Sequence, residues 1–541
     1  MEQLDLQKRL IIALALSFLV FAGSSYFLGG AQTQKLQQDS NISAKQEISN
    51  TNQAPNIVKD SASLAPQPSN TPQSAPVQNA EKVLATVKSK NYIFTIDELG
   101  RISQATLLAQ KYVDEDGNNI KLFDTTQVKP LEIRFSDAKL NDEAFKTAYS
   151  SSLEVLEVGD NSGVLLLTQT LSDVTITKEI TFYPDGHYDL NIKTTKPTPY
   201  FLTTGHRPVA DVSNYILAKG ALIKGADRII TTIEDGDAVG DENFKSALFA
   251  SAFDRYYSSF FYDFEKGLNI TVAKDKGDDP LIFVHGDENF SLHGYIGAKD
   301  HQTLTAINPE LIDVIEYGWF TFLAKPFFAV MAWIYSFVGN WAWAIILFTL
   351  LVKLILFPLS YKGMMSMSKL KDLAPKMKEI KEKYGKDPQK MNMKMMEMYK
   401  KHGANPMGGC LPLLLQIPVF FALYRVLLNA DEMQGADGIL WITDLSQMDP
   451  YFILPILMGA SMYFQQKITP SNITDPLQEK IFKFFPVIMT VFFVTFPSGL
   501  VLYWLTNNIL SIAQQYYINI AYEKHKVVAA AAIAKEKKKD I

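Results

Sequence analysis

The chain has 541 residues, 47% of them hydrophobic, a formal net charge of -5 and a single cysteine, Cys410. That length accommodates two or three domains. One cysteine excludes an internal disulfide framework, and no His/Cys cluster has the spacing of a metal site.

Residues 1–30 carry an apolar run from Leu10 to Leu28 behind Lys8 and Arg9. The run is longer than the ~7–15 apolar residues of a cleavable signal, and no small-residue cleavage site follows closely. It predicts an uncleaved anchor with a cytoplasmic N-terminus. Residues 31–82 are rich in Gln, Asn, Ser and Pro, too poor in apolar surface to fold, and predict a disordered linker. Residues 83–308 change to short alternating segments. Val174–Tyr183 and Tyr188–Ile192 flank Pro184-Asp185-Gly186 and predict two strands joined by a tight turn. More than two hundred residues of this pattern predict a large β-sandwich. The acidic stretch Glu234–Glu242 lacks the ligand order of a calcium loop and is expected to be a solvated loop.

Residues 309–340 include a short aromatic segment around Pro326–Tyr335, which suits a helix lying in the membrane interface. Five spans are then expected at residues 341–359, 411–428, 451–467, 481–496 and 500–520. Three of the last four are shorter than the ~20 residues a span usually needs, and Pro412, Pro418, Pro455 and Pro486 punctuate them. A thin, irregular bundle follows.

Lys353 lies in the first of these five, inside an otherwise apolar run. A charge in a membrane helix is expensive and reads by default as functional. Its long stem also permits the ammonium to snorkel to the headgroups. Both readings fit its position.

Loop charge sets the orientation. Residues 361–403 hold 12 Lys against 5 acidic residues, whereas 429–450 hold 5 acidic residues and no Lys or Arg. The positive-inside rule makes the first loop cytoplasmic and the second external. Both termini are then cytoplasmic and residues 83–308 external. Within residues 360–408 the apolar spacing predicts a cytoplasmic helical hairpin interrupted at Tyr384–Pro388. Met377, Met391 and Met395 fall on its apolar stripe and are expected to hold the two helices together. The off-stripe Met365, Met393 and Met396 are expected to meet a partner or lipid. The basic tail, residues 521–541, suits either positive-inside anchoring or electrostatic contact with ribosomal RNA.

The run Asn405–Phe420, with Asn405-Pro406-Met407-Gly408-Gly409-Cys410 at its head, strongly resembles the YidC/Oxa/Alb family of membrane protein insertases. So do Thr474-Asp475-Pro476 and Phe496-Pro497-Ser498-Gly499-Leu500. The likeness spans Trp319–Tyr522; the extra first span and the large external domain look like the Gram-negative form. The resemblance implies an inner-membrane insertase and chaperone, not an enzyme. Its five core helices would enclose a hydrophilic groove open to cytoplasm and lipid. Lys353, Thr349, Gln416 and Asn507 would line that groove, with Lys353 attracting acidic or polar client segments. Tyr503 and Trp504 would be sliding contacts for the client. Implied partners are nascent membrane proteins, the lipid bilayer, the Sec translocon, the ribosome and the signal recognition particle or its receptor. No cofactor, metal or nucleotide site is expected. Two departures stand out: Lys353 replaces the family's usual arginine, and Trp504 stands where tyrosine is often found. Lysine surrenders its proton more readily than arginine in a dry site, so a wet groove is expected. The alternative is a solute or proton transporter using Lys353 as a relay, for which inverted repeats are the usual sign; none is evident.

Overall fold

The computed structural model describes residues 82–114, 116–210, 218–315, 317–385, 387–402, 411–469 and 476–539. The expected N-terminal anchor, almost all of the linker, Asn405–Cys410 and Thr474-Asp475 lie outside the described residues.

Three sheets build the first half. The largest has nine strands in the order Ile230–Glu234, Gly220–Lys224, Phe249–Phe253, Tyr257–Tyr262, Asn289–Ala298, His187–Thr194, Thr175–Phe182, Gly163–Thr170 and Ser150–Ser151. A five-stranded and a four-stranded sheet complete the region. Inward residues of all three, among them Val87, Ile133, Ile176, Leu202 and Ile270, share one core. Strict alternation in Thr175–Phe182 buries Ile176, Lys178, Ile180 and Phe182 and leaves their neighbours half-exposed. The expected hairpin closes with Phe182 opposite Tyr188. Gly186 turns it at φ +96°, with Ile296 O only 3.0 Å from where a Cβ would stand.

Lys178 sits where the pattern calls for an apolar side chain. It donates to Gly100 O and Leu131 O at 2.9 and 2.7 Å. Burial pushes its pKa down to about 7, against the pull of Asp97.

Nine α-helices are described: α1 (Ala138–Lys146), α2 (His301–Ile307), α3 (Thr321–Val338), α4 (Trp341–Tyr384), α5 (Pro388–Lys401), α6 (Leu411–Asn429), α7 (Ile453–Ile468), α8 (Pro476–Phe493) and α9 (Ser498–Lys539). Gly339 ends α3 in the left-handed conformation, and the Asn340 side chain accepts from Trp343 N to start α4. By length and composition, α3 and α4 are both able to cross a membrane. Helix α4 contains residues 341–359 and runs on for 44 residues in all, through Pro358 and Pro375. Proline forfeits one backbone bond, and the good helix formers that follow carry the helix on. Likewise α3 is a full 18 residues rather than a short aromatic segment.

A second core is continuous from the outer face of the large sheet into the bundle. Phe249, Phe260 and Tyr295 from the sheet share it with Phe328 of α3, Ile345 and Phe348 of α4, Leu423 of α6 and Leu500 of α9. A polar interlock reinforces that junction. Lys111 Nζ reaches Asp431 Oδ2 at 2.5 Å, and Tyr112 OH donates to the same oxygen at 2.8 Å. Arg255 Nε donates to Leu428 O, Tyr257 OH to Gln434 Oε1, and His301 N to Glu432 Oε1. The segment leaving α6 is thus clamped by the β-rich region. Glu432 Oε2 is sealed from solvent without a partner. Burial, with Asp300 and Asp431 nearby, pushes the Glu432 pKa up to about 8.

The hairpin tip, residues 378–396, is a separate unit. It turns at Gly385, with Asp387 N donating to Tyr384 O.

Candidate functional site

The side chains facing outward on the bundle are apolar. On α4, Leu350, Leu351, Leu354 and Ile355 are exposed while Ile345, Phe348 and Thr349 are buried. On α8, Phe484, Val487, Ile488 and Val491 are exposed. Apolar exposure on this scale marks a surface made for lipid or for a partner.

Against that belt, the interior of the bundle is polar along one face of α9. Asn507, Asn508, Ser511, Gln514 and Gln515 are all buried. Their spacings of three and four residues put them on one side of the helix. Lys353 of α4 reaches this column: its Nζ donates to Ser511 Oγ at 2.7 Å. Ser511 Oγ in turn donates to Asn507 O at 2.7 Å. Thr349, one turn before Lys353, donates back to Ile345 O within its own helix. Asn508 Nδ2 donates to Ser461 Oγ of α7 at 3.1 Å, and Gln515 Nε2 to Asn519 Oδ1 at 2.8 Å. Helices α7 and α8 approach closely at Gly459, where a Cβ would lie 1.8 Å from Thr490 Oγ1. Thr490 itself is held to Pro486 O.

Residues 333–525 match the family described as 60Kd inner membrane protein, and residues 238–330 match the YidC periplasmic domain. The membrane protein insertase YidC of Campylobacter jejuni is 50% identical, over 97% of this chain and 98% of its own length. The chain belongs to the YidC family of membrane protein insertases. The Wolinella succinogenes YidC is 48% identical over 98% of each chain. The Helicobacter pylori YidC (strain 26695) is 47% identical over 96% of this chain and 97% of its own. A solved structure of an active YidC insertase with its first transmembrane domain resolved aligns with TM-score 0.38 and 19% identity, covering 82% of this chain and 94% of that one. Membership supports membrane protein insertion as the activity, and an inner-membrane protein with a periplasmic domain.

The YidC family resemblance singled out four groove residues. Lys353 of α4 is linked to Asn507 of α9 through Ser511, and Thr349 is buried one turn before Lys353. Gln416 of α6 hydrogen-bonds to the hydroxyl of Tyr503, also on α9. Tyr503 is only 3% exposed, so a sliding client meets it only if the helices part. Trp504 is half-buried between Phe420 at 4.8 Å and Phe493 at 5.1 Å. Met393 and Met396 are exposed, Met365 is half-buried, and the stripe residue Met377 accepts from Tyr399 OH. In the tail, Lys526 pairs with Asp372 of α4 at 2.8 Å. Among the described residues no group of three or more His, Cys, Asp or Glu is arranged to hold a metal ion.

Sequence reasoning missed Ser511, Gln514, Gln515 and Ser461. For the three on α9 the signal was present: with Asn507 and Asn508 they make five polar residues at helical spacing inside an apolar span, of which only Asn507 was singled out above.

Proposed function

We propose that the chain inserts and folds inner-membrane proteins through a hydrophilic groove between α4 and α9. Lys353 draws in acidic or polar client segments, and Thr349, Gln416 and Asn507 line the path. The observation that carries this reading is the half-buried Lys353 ammonium set against a polar helix face, bonded to a neutral hydroxyl. A cation used only for anchoring would gain more by snorkelling to the headgroups.

The apolar part of the client moves outward along exposed side chains of α4 and α8, with Trp504 as a contact near the outer turn. The positive hairpin and tail face the cytoplasm and the β-rich domain the periplasm. Met365, Met393 and Met396 offer adaptable apolar contacts to a client or partner. Action beside the Sec translocon, and delivery from a ribosome or the signal recognition particle pathway, fit this orientation. Nothing in the proposed path calls for nucleotide hydrolysis.

The test is depletion and replacement with a small, acidic-tailed membrane client. Lys353→Met is expected to lose insertion of that client and Lys353→Arg to restore it. Full insertion by both variants would remove the charge from the mechanism.

A further inference from the structure

We propose that Lys353 and Gln514 form a two-donor docking site for a client carboxylate, with Ser511 holding the ammonium in the resting state. This rests on the groove reading above and adds residues that set its selectivity.

Lysine has three N–H donors. One goes to Ser511 Oγ, and among the described residues Lys353 makes no ion pair and no other hydrogen bond. Ser511 has its single hydrogen committed to Asn507 O, so it meets the ammonium as a pure acceptor. Gln514, three residues further along α9, is 9% exposed, and its Nε2 is sealed from solvent with no hydrogen-bond partner. Residues three apart on a helix stand roughly 5–6 Å apart at Cβ. Ser511, which holds the cation, and Gln514, which carries the orphaned amide donor, therefore stand one turn apart on the same buried helix face.

Leaving an amide donor buried and unmatched is unfavourable unless something completes it. A carboxylate does, with one oxygen on Lys353 Nζ and the other on Gln514 Nε2. The exchange is easy in one direction only. Hydrogen bonds to an ionised acceptor are roughly twice as strong as those to a neutral one, so a client carboxylate displaces Ser511. A client carboxamide gains no such advantage. Because no resident carboxylate occupies the lysine, no ion pair is broken on entry. Because the second donor is neutral, the client is not held by two charges on exit.

The test uses the full-length chain in proteoliposomes and a single-span client with one Asp in its translocated segment, beside the same client carrying Asn. The measured quantity is the ratio of Asp-client to Asn-client insertion. Gln514→Met, close in size but lacking the donor, is expected to lower that ratio about tenfold. Gln514→Glu is expected to lower it further, since the new carboxylate occupies Lys353 itself. Ser511→Ala is expected to keep or raise the ratio. Equal loss of both clients in Gln514→Met, with thermal stability unchanged, would overturn the docking site. So would a Gln514→Met ratio equal to wild type, or a Ser511→Ala ratio that falls as far as Gln514→Met. Where Lys353→Met abolishes the preference but Gln514→Met does not, the groove reading survives and this inference fails. Where Lys353→Met leaves the preference intact, both fail.

Discussion

The two ends of the bundle partner their cations differently. At the outer end, Asp431 is matched by Lys111 and Tyr112, and Arg255, Tyr257 and His301 each find an acceptor on the segment leaving α6. Inside the bundle, Lys353 has a neutral hydroxyl and Gln514 has an orphaned amide. At the outer junction the Lys111 cation has a carboxylate within the protein, while among the described residues Asp431 Oδ1 and Glu432 Oε2 stay without a hydrogen-bond partner; inside the bundle Lys353 has only a hydroxyl.

The contrast breaks most visibly at Asp431. Asp431→Ala strands the Lys111 ammonium and the Tyr112 hydroxyl, and is expected to cost about 3–5 kcal/mol, the range for breaking a buried pair from one side. Thermal unfolding of the purified protein in nanodiscs reads this directly, and a shift within error would show that the interlock does not bear on stability.

Acidity acts on the same junction through Glu432. Its folded-state pKa of about 8 lies above the ordinary 4.5, so the folded state binds the extra proton between those values. Stability from this group is therefore full below about pH 4.5 and is lost as pH rises through about 8. Glu432→Gln is expected to flatten the dependence over that window in melts taken at a series of pH values. An unchanged slope would argue against a buried, protonated carboxyl.

Packing between α7 and α8 gives a smaller effect. Gly459→Ala drives a methyl into Thr490 Oγ1 and is expected to cost about 1–3 kcal/mol by overpacking. Adding Thr490→Ala should recover most of the loss in the same melt. The smallest effect belongs to Lys353. Lys353→Met is expected to change thermal stability by no more than about 0.5 kcal/mol, because no charged partner is left behind. A large destabilisation would place Lys353 with the structural charges of the outer end.

Much of this architecture can be read from local pattern. Alternation reveals the Thr175–Phe182 hairpin, and long apolar runs reveal the core helices. What escapes is whatever depends on distant partners. Lys111 and Asp431 are 320 positions apart, and each looks like an ordinary solvated charge in its own neighbourhood. The unbroken run of α4 from Trp341 through Pro358 and Pro375 to Tyr384 also escapes local pattern, because proline and a change from apolar to lysine-rich sequence interrupt the periodicity. Within the candidate site, Lys353 stood out because a charge in an apolar run is rare. Ser511, Gln514 and Gln515 did not, because small and amide side chains are common in membrane helices and only their shared face distinguishes them.

The brevity of α7 has an electrical corollary. Its 16 residues reach roughly 24 Å, less than the ~30 Å of an average hydrocarbon slab. Were α7 to span the membrane as proposed, the voltage across it, interior negative, would fall over a shorter distance beside that helix and make a steeper gradient. In the proposed orientation an anionic client moves down this gradient, worth ~2.3 kcal/mol per charge for each 100 mV. Dissipating the potential should therefore slow acidic clients more than neutral ones.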